Sequence, residues 1–343
     1  MSFEPTASER AVRKDEHLDL AVRLHGQEQP NAFDDVSFMH HALPGTATGV
    51  ADTGTTVCGV RWQVPFYINA MTGGTQATAQ VNAGLARAAA ETGVAIACGS
   101  QHIALREPER ADGFQVIRRE APDAFVLANV GPTVTGEQAL RAVEMLQADA
   151  LQVHLNVAQE LVMPEGDRDF RDWAGRIAAI ADAVPVPVVA KEVGFGLSRR
   201  TIATLTQAGV DAVDVAGAGG TDFIAIENER RPHRDYSYLT GWGQSAVLCL
   251  LESLSGDDPV GLPVLASGGV RTPLDVVRAL ALGARAVGVS GHFLRTLVAD
   301  GADVLRRELH SWTEHVRTLM TLLGAASVEQ LRHKTGLEDL VAE

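Results

Sequence analysis

The chain has 343 residues, 46% of them hydrophobic, with 29 Lys and Arg against 43 Asp and Glu and a formal net charge of −14. That size supports a large core, and α/β barrels reach it as one domain. The acidic balance argues against general binding to nucleic acid or anionic membrane, so an anionic substrate needs locally concentrated positive charge.

The polar start MSFEPTASER shows no apolar signal region, and no apolar run reaches the roughly 18 residues of a membrane span. A cytoplasmic location is expected. Cys58, Cys98 and Cys249 are far apart and odd in number, which fits neither a disulfide framework nor a zinc pattern.

Residues 1–12 are expected to form a flexible N-terminus, and 13–343 a single domain. Arg13-Lys14-Asp15-Glu16-His17 is either a solvated charge run or a segment that folds over the site and supplies positive charge. From residue 64, apolar runs alternate with helical stretches. The runs are 64–70, 94–98, 125–129, 150–154, 186–191, 212–216, 263–267 and 286–290. Their lack of polar alternation suits strands buried on both faces of a parallel sheet. Helices are expected over 78–93, 137–147 and 198–209, the first and third closed by Gly. Eight strands in βα alternation predict a (β/α)₈ barrel. Residues 217–241 form an insertion too long for an ordinary βα loop, and 302–339 a helical cap outside the barrel.

Residues at the C-terminal strand ends face a barrel's site. Here those ends read Ala70-Met71-Thr72-Gly73-Gly74, Gly99-Ser100-Gln101-His102, Asn129-Val130-Gly131 and His154-Leu155-Asn156 with Gln159-Glu160 following. Next come Lys191-Glu192-Val193-Gly194, Gly219-Gly220-Thr221, Gly268-Gly269-Val270-Arg271 and Ser290-Gly291. Polar or Gly-rich residues at all eight ends point to a large bound ligand. Gly268 to Arg271, followed by Thr272-Pro273 and a helix, can turn backbone N–H groups onto a phosphate.

Lys191 ends an apolar strand, where a lysine needs an anion unless it snorkels to solvent or pairs with Glu192. His154 and Asn156 alternate on a strand and point the same way. Glu160 is a single oxygen ligand that suits Mg²⁺ shared with substrate phosphates, while Glu165 and Asp167 read as surface residues.

With these residues assembled, the chain resembles the type 2 isopentenyl-diphosphate Δ-isomerases, FMN-dependent (β/α)₈ flavoproteins. The resemblance runs from about residue 13 to about 320. It is carried by RKDEH, NAMTGGT, GSQHIALR, HLNVAQELVMPEGDRDF, KEVGFGLS, GAGGTDFIAIENERR and ASGGVRTPLDVVRALALGA. It implies FMN contacts from Ala70, Met71, Thr72, Ser100, Asn129, Lys191, Thr221, Gly268, Gly269, Val270, Arg271, Ser290 and Gly291. Arg13, Lys14, Ser100, His102, His154, Asn156 and Gln159 would surround the substrate, and Glu160 would bind Mg²⁺. Gln159, His154 and Glu227 are the candidates for catalysis. The implied reaction converts isopentenyl diphosphate reversibly to dimethylallyl diphosphate with no net redox change, NADPH serving only to reduce the flavin. The implied assembly is a homotetramer or homooctamer.

Departures from the family pattern fall at Ala216, where some relatives carry a hydroxyl residue, at His102, where many carry Arg, and at the Ser290-Gly291-His292-Phe293 strand end. A rival reading is an FMN-dependent 2-hydroxy-acid oxidase or dehydrogenase. Those enzymes carry a His and an Arg around the glycine pair after strand six, and 215–221 here reads VAGAGGT. A second rival is a non-catalytic flavin-binding barrel.

Overall fold

The computed structural model describes residues 16, 20, 23, 31–71, 73–254, 261–334 and the backbone of 340–342. Residues 1–12, Arg13, Lys14 and Thr72 lie outside the described residues. Eight parallel strands close into a barrel: β1 (Phe66–Ile68), β2 (Ala95–Ala97), β3 (Val126–Val130), β4 (Ala150–Leu155), β5 (Val188–Glu192), β6 (Ala212–Asp214), β7 (Val264–Ser267) and β8 (Val287–Val289). Each pairs with its sequence neighbour, and β8 returns to β1 with Val287 opposite Phe66. All eight expected strands are barrel strands.

Strand periodicity sorts the side chains into two layers. Phe66 and Ile68 point out to the helices, while Tyr67 joins Ala95, Ala97, Leu127, Ala150, Val189, Ala212 and Leu265 inside. An antiparallel hairpin, Thr55–Val57 with Val60–Trp62, closes the N-terminal end. Its Trp62 ring packs against Tyr67 and Phe125, with centroids 5.5 and 5.2 Å apart.

The helices start where their caps dictate. Thr75 and Thr78 form a capping box for Gln76–Thr92, Thr135 and Gln138 one for Gly136–Leu146, and Ser198 caps Arg199–Gln207. Gly93 stops the first in the left-handed conformation. The expected cap is the helix Ala302–Leu322, which lies against Gln76–Thr92 and Pro273–Ala281 outside the barrel. Its Trp312 stacks edgewise on Phe66 and Phe293, at 6.0 and 4.9 Å between centroids. The insertion after β6 folds into the helix Phe223–Glu229 and a short 3₁₀ turn, Ser237–Leu239. Among the described residues no helix is long and apolar enough to cross a membrane.

Candidate active site

A cleft of about 320 Å³ opens at the C-terminal ends of the strands. Of the residues expected there, Ala70, Met71, Ser100, His102, Asn129, His154, Asn156, Gln159, Glu160, Lys191, Thr221, Gly268 to Arg271, Ser290 and Gly291 line it. Glu227 does not line it and stands fully buried behind Gln159.

One wall is backbone. The loops after β6 and β7 approach so closely that a Cβ on Gly268 would stand 1.8 Å from the Gly217 carbonyl oxygen. A Cβ on Gly220 would meet the Gly269 amide nitrogen at 2.9 Å. Gly268 and Gly269 also adopt φ of +93° and +77°, where side chains are strained. The Asn31 side-chain amide donates to the Gly269 carbonyl at 2.5 Å and braces this loop from outside. Thr272 then caps the helix Pro273–Ala281, with proline in its first turn. The Arg271 guanidinium turns to Asp34, at 3.0 Å, and to Asp275, which also accepts from the Arg271 backbone N–H at 3.0 Å.

The floor is a buried network. Asp214, fully enclosed, accepts from Tyr67 Oη at 2.7 Å, Asn69 Nδ2 at 2.9 Å, Ser267 Oγ at 2.8 Å and the Ala216 amide at 3.0 Å. Burial and the neighbouring Asp214 carboxylate hold the Tyr67 phenol well above its ordinary pKa. The bond to Ala216 secures a non-glycine residue at φ +37°. Lys191 pairs in register with Asp214 and is buried, so it does not snorkel. Its Nζ donates to the Glu192 carbonyl at 2.6 Å; burial lowers its pKa, with Asp214 and Glu192 opposing the shift. The Glu192 carboxylate makes no salt bridge to Lys191. It turns to the amides of Val193, Gly194 and Phe195 at 2.6, 2.8 and 2.6 Å. Burial pushes it up to about 7 despite those donors.

The opposite wall is made of side chains. His154 Nδ1 meets Asn129 Oδ1 at 2.8 Å, and Asn129 donates to the Cys98 carbonyl at 3.1 Å. His154 and His102 both come up to Gly131, where a Cβ would stand 3.2 Å from His154 Nε2 and 3.4 Å from His102 Cε1. Asn156 Nδ2 donates to Gln159 Oε1 at 3.1 Å and Glu160 Oε1 at 2.9 Å. Gln159 Nε2 donates to Glu227 Oε1 at 2.8 Å, and Arg230 to Glu227 Oε2 at 2.6 Å. Burial works against the Arg230 charge, but Glu227 and Glu165 outweigh it and raise its pKa. Glu165 and Asp167, expected at the surface, line the cleft; Glu165 contacts Arg230 at 3.1 Å, and Asp167 keeps an exposed side chain.

Asn69, Arg106, Asp214 and Arg230 stand inside the strands and motifs named above, but the sequence assigns them no role. For Asp214 the available signal was an acid inside the apolar run AVDVA. For Arg230 it was the charged string ENERR at the end of the insertion.

The residues present fit both implied groups. The glycine wall is a cradle that any Cβ would fill, beside a buried cation, as a flavin phosphate and ring require. Glu160 is held by the Asn156 amide and the Asp167 backbone N–H at 2.8 Å, which fixes its carboxylate in the cleft, where it would offer a metal a single oxygen ligand.

The FMN-dependent dehydrogenase family matches residues 23–155 and 100–337 of the chain. An isopentenyl-diphosphate delta-isomerase from Streptomyces sp. (strain CL190) is 53% identical over 322 residues, 94% of this chain and 88% of that protein. The enzyme of that name from Latilactobacillus sakei is 46% identical, covering 96% of this chain and 93% of its own. Among solved structures, a soluble mutant of Pseudomonas putida (S)-mandelate dehydrogenase superposes with a TM-score of 0.66 at 18% identity, over 96% of this chain and 92% of that one. A mandelate oxidase with an FMN adduct gives 0.60 at 20% identity, over 92% and 90%. These two share the fold alone. The chain belongs to the FMN-dependent, type 2 isopentenyl-diphosphate isomerases, on a barrel shared with the FMN-dependent dehydrogenases.

Proposed function

We propose that this isomerase interconverts isopentenyl diphosphate and dimethylallyl diphosphate with reduced FMN and Mg²⁺ and with no net redox change. The double bond moves when the terminal methylene carbon gains a proton and the carbon two positions away, across the branched carbon, loses one. The supporting observation is the hydrogen-bonded series Asn156–Gln159–Glu227 over β4, facing the glycine cradle across one cleft. When bound and reduced, FMN would supply acid–base capacity at its ring nitrogens, NADPH serving only as its reductant.

The chain's own residues divide the remaining work. Glu160 holds Mg²⁺ against the diphosphate, and Arg13, Lys14, Ser100, His102 and Asn156 bind the substrate's polar end. Gln159 has no useful titration and orients the prenyl tail against the flavin. Glu227 handles a proton from behind it, and His154, fixed by Asn129, presents its other nitrogen beside His102. Lys191 adds positive charge at the pyrimidine side of the ring. A cytoplasmic homotetramer or homooctamer completes the reading.

The decisive measurement is an anaerobic isomerisation assay with FMN, NADPH and Mg²⁺, each omitted in turn. Turnover should need all three, with NADPH replaceable by another flavin reductant and consumed only once per flavin. NADPH consumed in step with product would overturn it. The oxidase reading is open to a second check: lactate or glycolate should leave the oxidised flavin unbleached.

A further inference from the structure

The cleft is bordered by carboxylates at Glu160, Glu165 and Asp167 and by cations at Lys191, Arg271 and Arg106. Lys191 is buried in the floor, where its Nζ donates to the Glu192 carbonyl. Arg271 is taken up by Asp34 and Asp275. Arg106 differs from both. It is exposed, and among the described residues its guanidinium meets no carboxylate and no hydrogen-bond acceptor.

The chain sets that free head on a fixed base. Arg106 ends the short helix His102–Arg106, in which Ile103, Ala104 and Leu105 are buried. Gln101, just before the helix, is fully enclosed. Its side-chain oxygen accepts from the Asn129 amide at 2.9 Å, and its side-chain amide donates to the Ala142 carbonyl at 2.9 Å. On the far side Arg110 pairs with Glu107 and donates to the Gly74 carbonyl at 2.9 Å. Both flanks are tied, so the backbone under Arg106 holds still while its donors stay available.

Its place in the cleft gives those donors a use. His102 and Arg106 stand four residues apart, on one helix face and about 6 Å apart along the axis. His102 comes up to Gly131 beside His154 of the β4 wall, so the two histidines meet over the end of β3. Arg106 lies one turn beyond them, on the exposed rim. A guanidinium fork matches two oxygens of one phosphate, and in a chain with a formal net charge of −14 such positive charge is scarce.

We propose that Arg106 binds the terminal phosphate of the substrate and thereby selects a prenyl diphosphate over a prenyl monophosphate. The inference rests on the isomerase reading given above, in which Glu160 with Mg²⁺ takes the polar end from the β4 side. Arg106 takes it from the β2 side. A monophosphate seated by its prenyl tail ends short of the rim and gains nothing from Arg106.

The test uses FMN-loaded protein with Mg²⁺ and compares wild type, Arg106→Met, Arg106→Lys and, as control, Arg119→Met. Arg119 is exposed and pairs with Asp112 on the outer helix Asp112–Glu120. Calorimetric titration with inorganic pyrophosphate reads binding without turnover. Kinetics read kcat and KM for isopentenyl diphosphate and the Ki of isopentenyl monophosphate. Arg106→Met should weaken pyrophosphate binding and raise KM by about tenfold, the loss of one charge-assisted pair, with kcat held. Its monophosphate Ki should stay within about twofold, so selectivity between the two falls by about tenfold. Arg106→Lys should recover part of the loss, because an ammonium keeps the charge without the fork. Pyrophosphate affinity should fall less steeply with added salt in Arg106→Met than in wild type. Arg119→Met should match wild type throughout.

Unchanged pyrophosphate affinity in Arg106→Met overturns the proposal. An equal loss for the monophosphate also overturns it, by placing Arg106 on the inner phosphate, and so does a fall in FMN affinity, which would make it a flavin contact. A wild type that binds pyrophosphate but fails to isomerise would instead sink the functional reading, and the titration would still decide the role of Arg106.

Discussion

Around the ends of β6 and β7 the cleft wall is largely peptide backbone, drawn so close that a Cβ on Gly217, Gly220 or Gly268 would clash with facing backbone. Around β4 the wall is side chains held by one another, from Asn156 through Gln159 to Glu227 and Arg230. Backbone donors recognise an anion whatever it is attached to, so the first wall suits a cofactor phosphate and recurs on barrels with other chemistries. Interlocked side chains suit one substrate in one pose, so on the function proposed above the second wall would carry the specificity. The two mandelate enzymes share the fold at no more than 20% identity, while the isomerases match this chain at 46–53%.

Substitutions can break that division of labour. The largest effect belongs to Gly268→Ala, whose new Cβ would meet the Gly217 oxygen at 1.8 Å with φ at +93°. FMN affinity should fall by about 10²-fold or more, a loss on the order of 3 kcal/mol, read by flavin fluorescence titration. Retention of tight FMN binding would refute the backbone cradle. Next comes Glu160→Ala on the other wall, which should leave FMN bound and remove Mg²⁺-dependent turnover, lowering kcat/KM by about 10²-fold or more. Unchanged turnover would remove Glu160 from metal binding.

A smaller, pH-dependent effect sharpens the boundary between the walls. Burial raises the Glu192 pKa to about 7 in the folded protein, above its unfolded value, so the folded state holds the extra proton between the two. Its stabilising contribution is present below about pH 4.5 and lost as pH rises through about 7, worth on the order of 1–3 kcal/mol. Glu192→Gln should flatten that part of a plot of Tm against pH. A wild-type curve without the decline would show that the three amide donors outweigh burial. Smallest is Asn31→Ala, which removes the brace on Gly269 and should cost about 1 kcal/mol, a few-fold in FMN affinity by the same titration.

The walls also differ in how much of them the sequence reveals. The glycine pairs stand at strand ends, and their requirement is local: positive φ and close approach leave a mark in the sequence itself. Strand positions were equally local, because runs such as FVLAN and VPVVAK need no distant partner to be recognised. Asp214 is the opposite case. An acid inside an apolar run makes sense only with Tyr67 and Ser267, which lie 147 and 53 residues away and meet it only when the barrel closes. Arg230 is similar: Glu227 lies three residues away, but Glu165 belongs to the loop after β4 and Glu16 to the chain before the barrel, so spacing alone cannot gather its acids. Glu192 enters the sequence argument only as an alternative partner for Lys191, the nearest cation in sequence. Its own carboxylate instead found three amides in the turn that follows, a choice that depends on backbone geometry.

The sealed floor beneath Lys191 has a consequence for traffic. Tyr67, Asn69 and Ser267 converge on Asp214, and Trp62 with its hairpin shuts the far end. The described residues thus leave the C-terminal mouth as the way in. With a single doorway, the molecule that sits deepest enters first and leaves last. On the assignment proposed above, a bound diphosphate corks the flavin beneath it. Flavin release should therefore slow as substrate fills the cleft, which makes cofactor retention a matter of queueing as well as affinity.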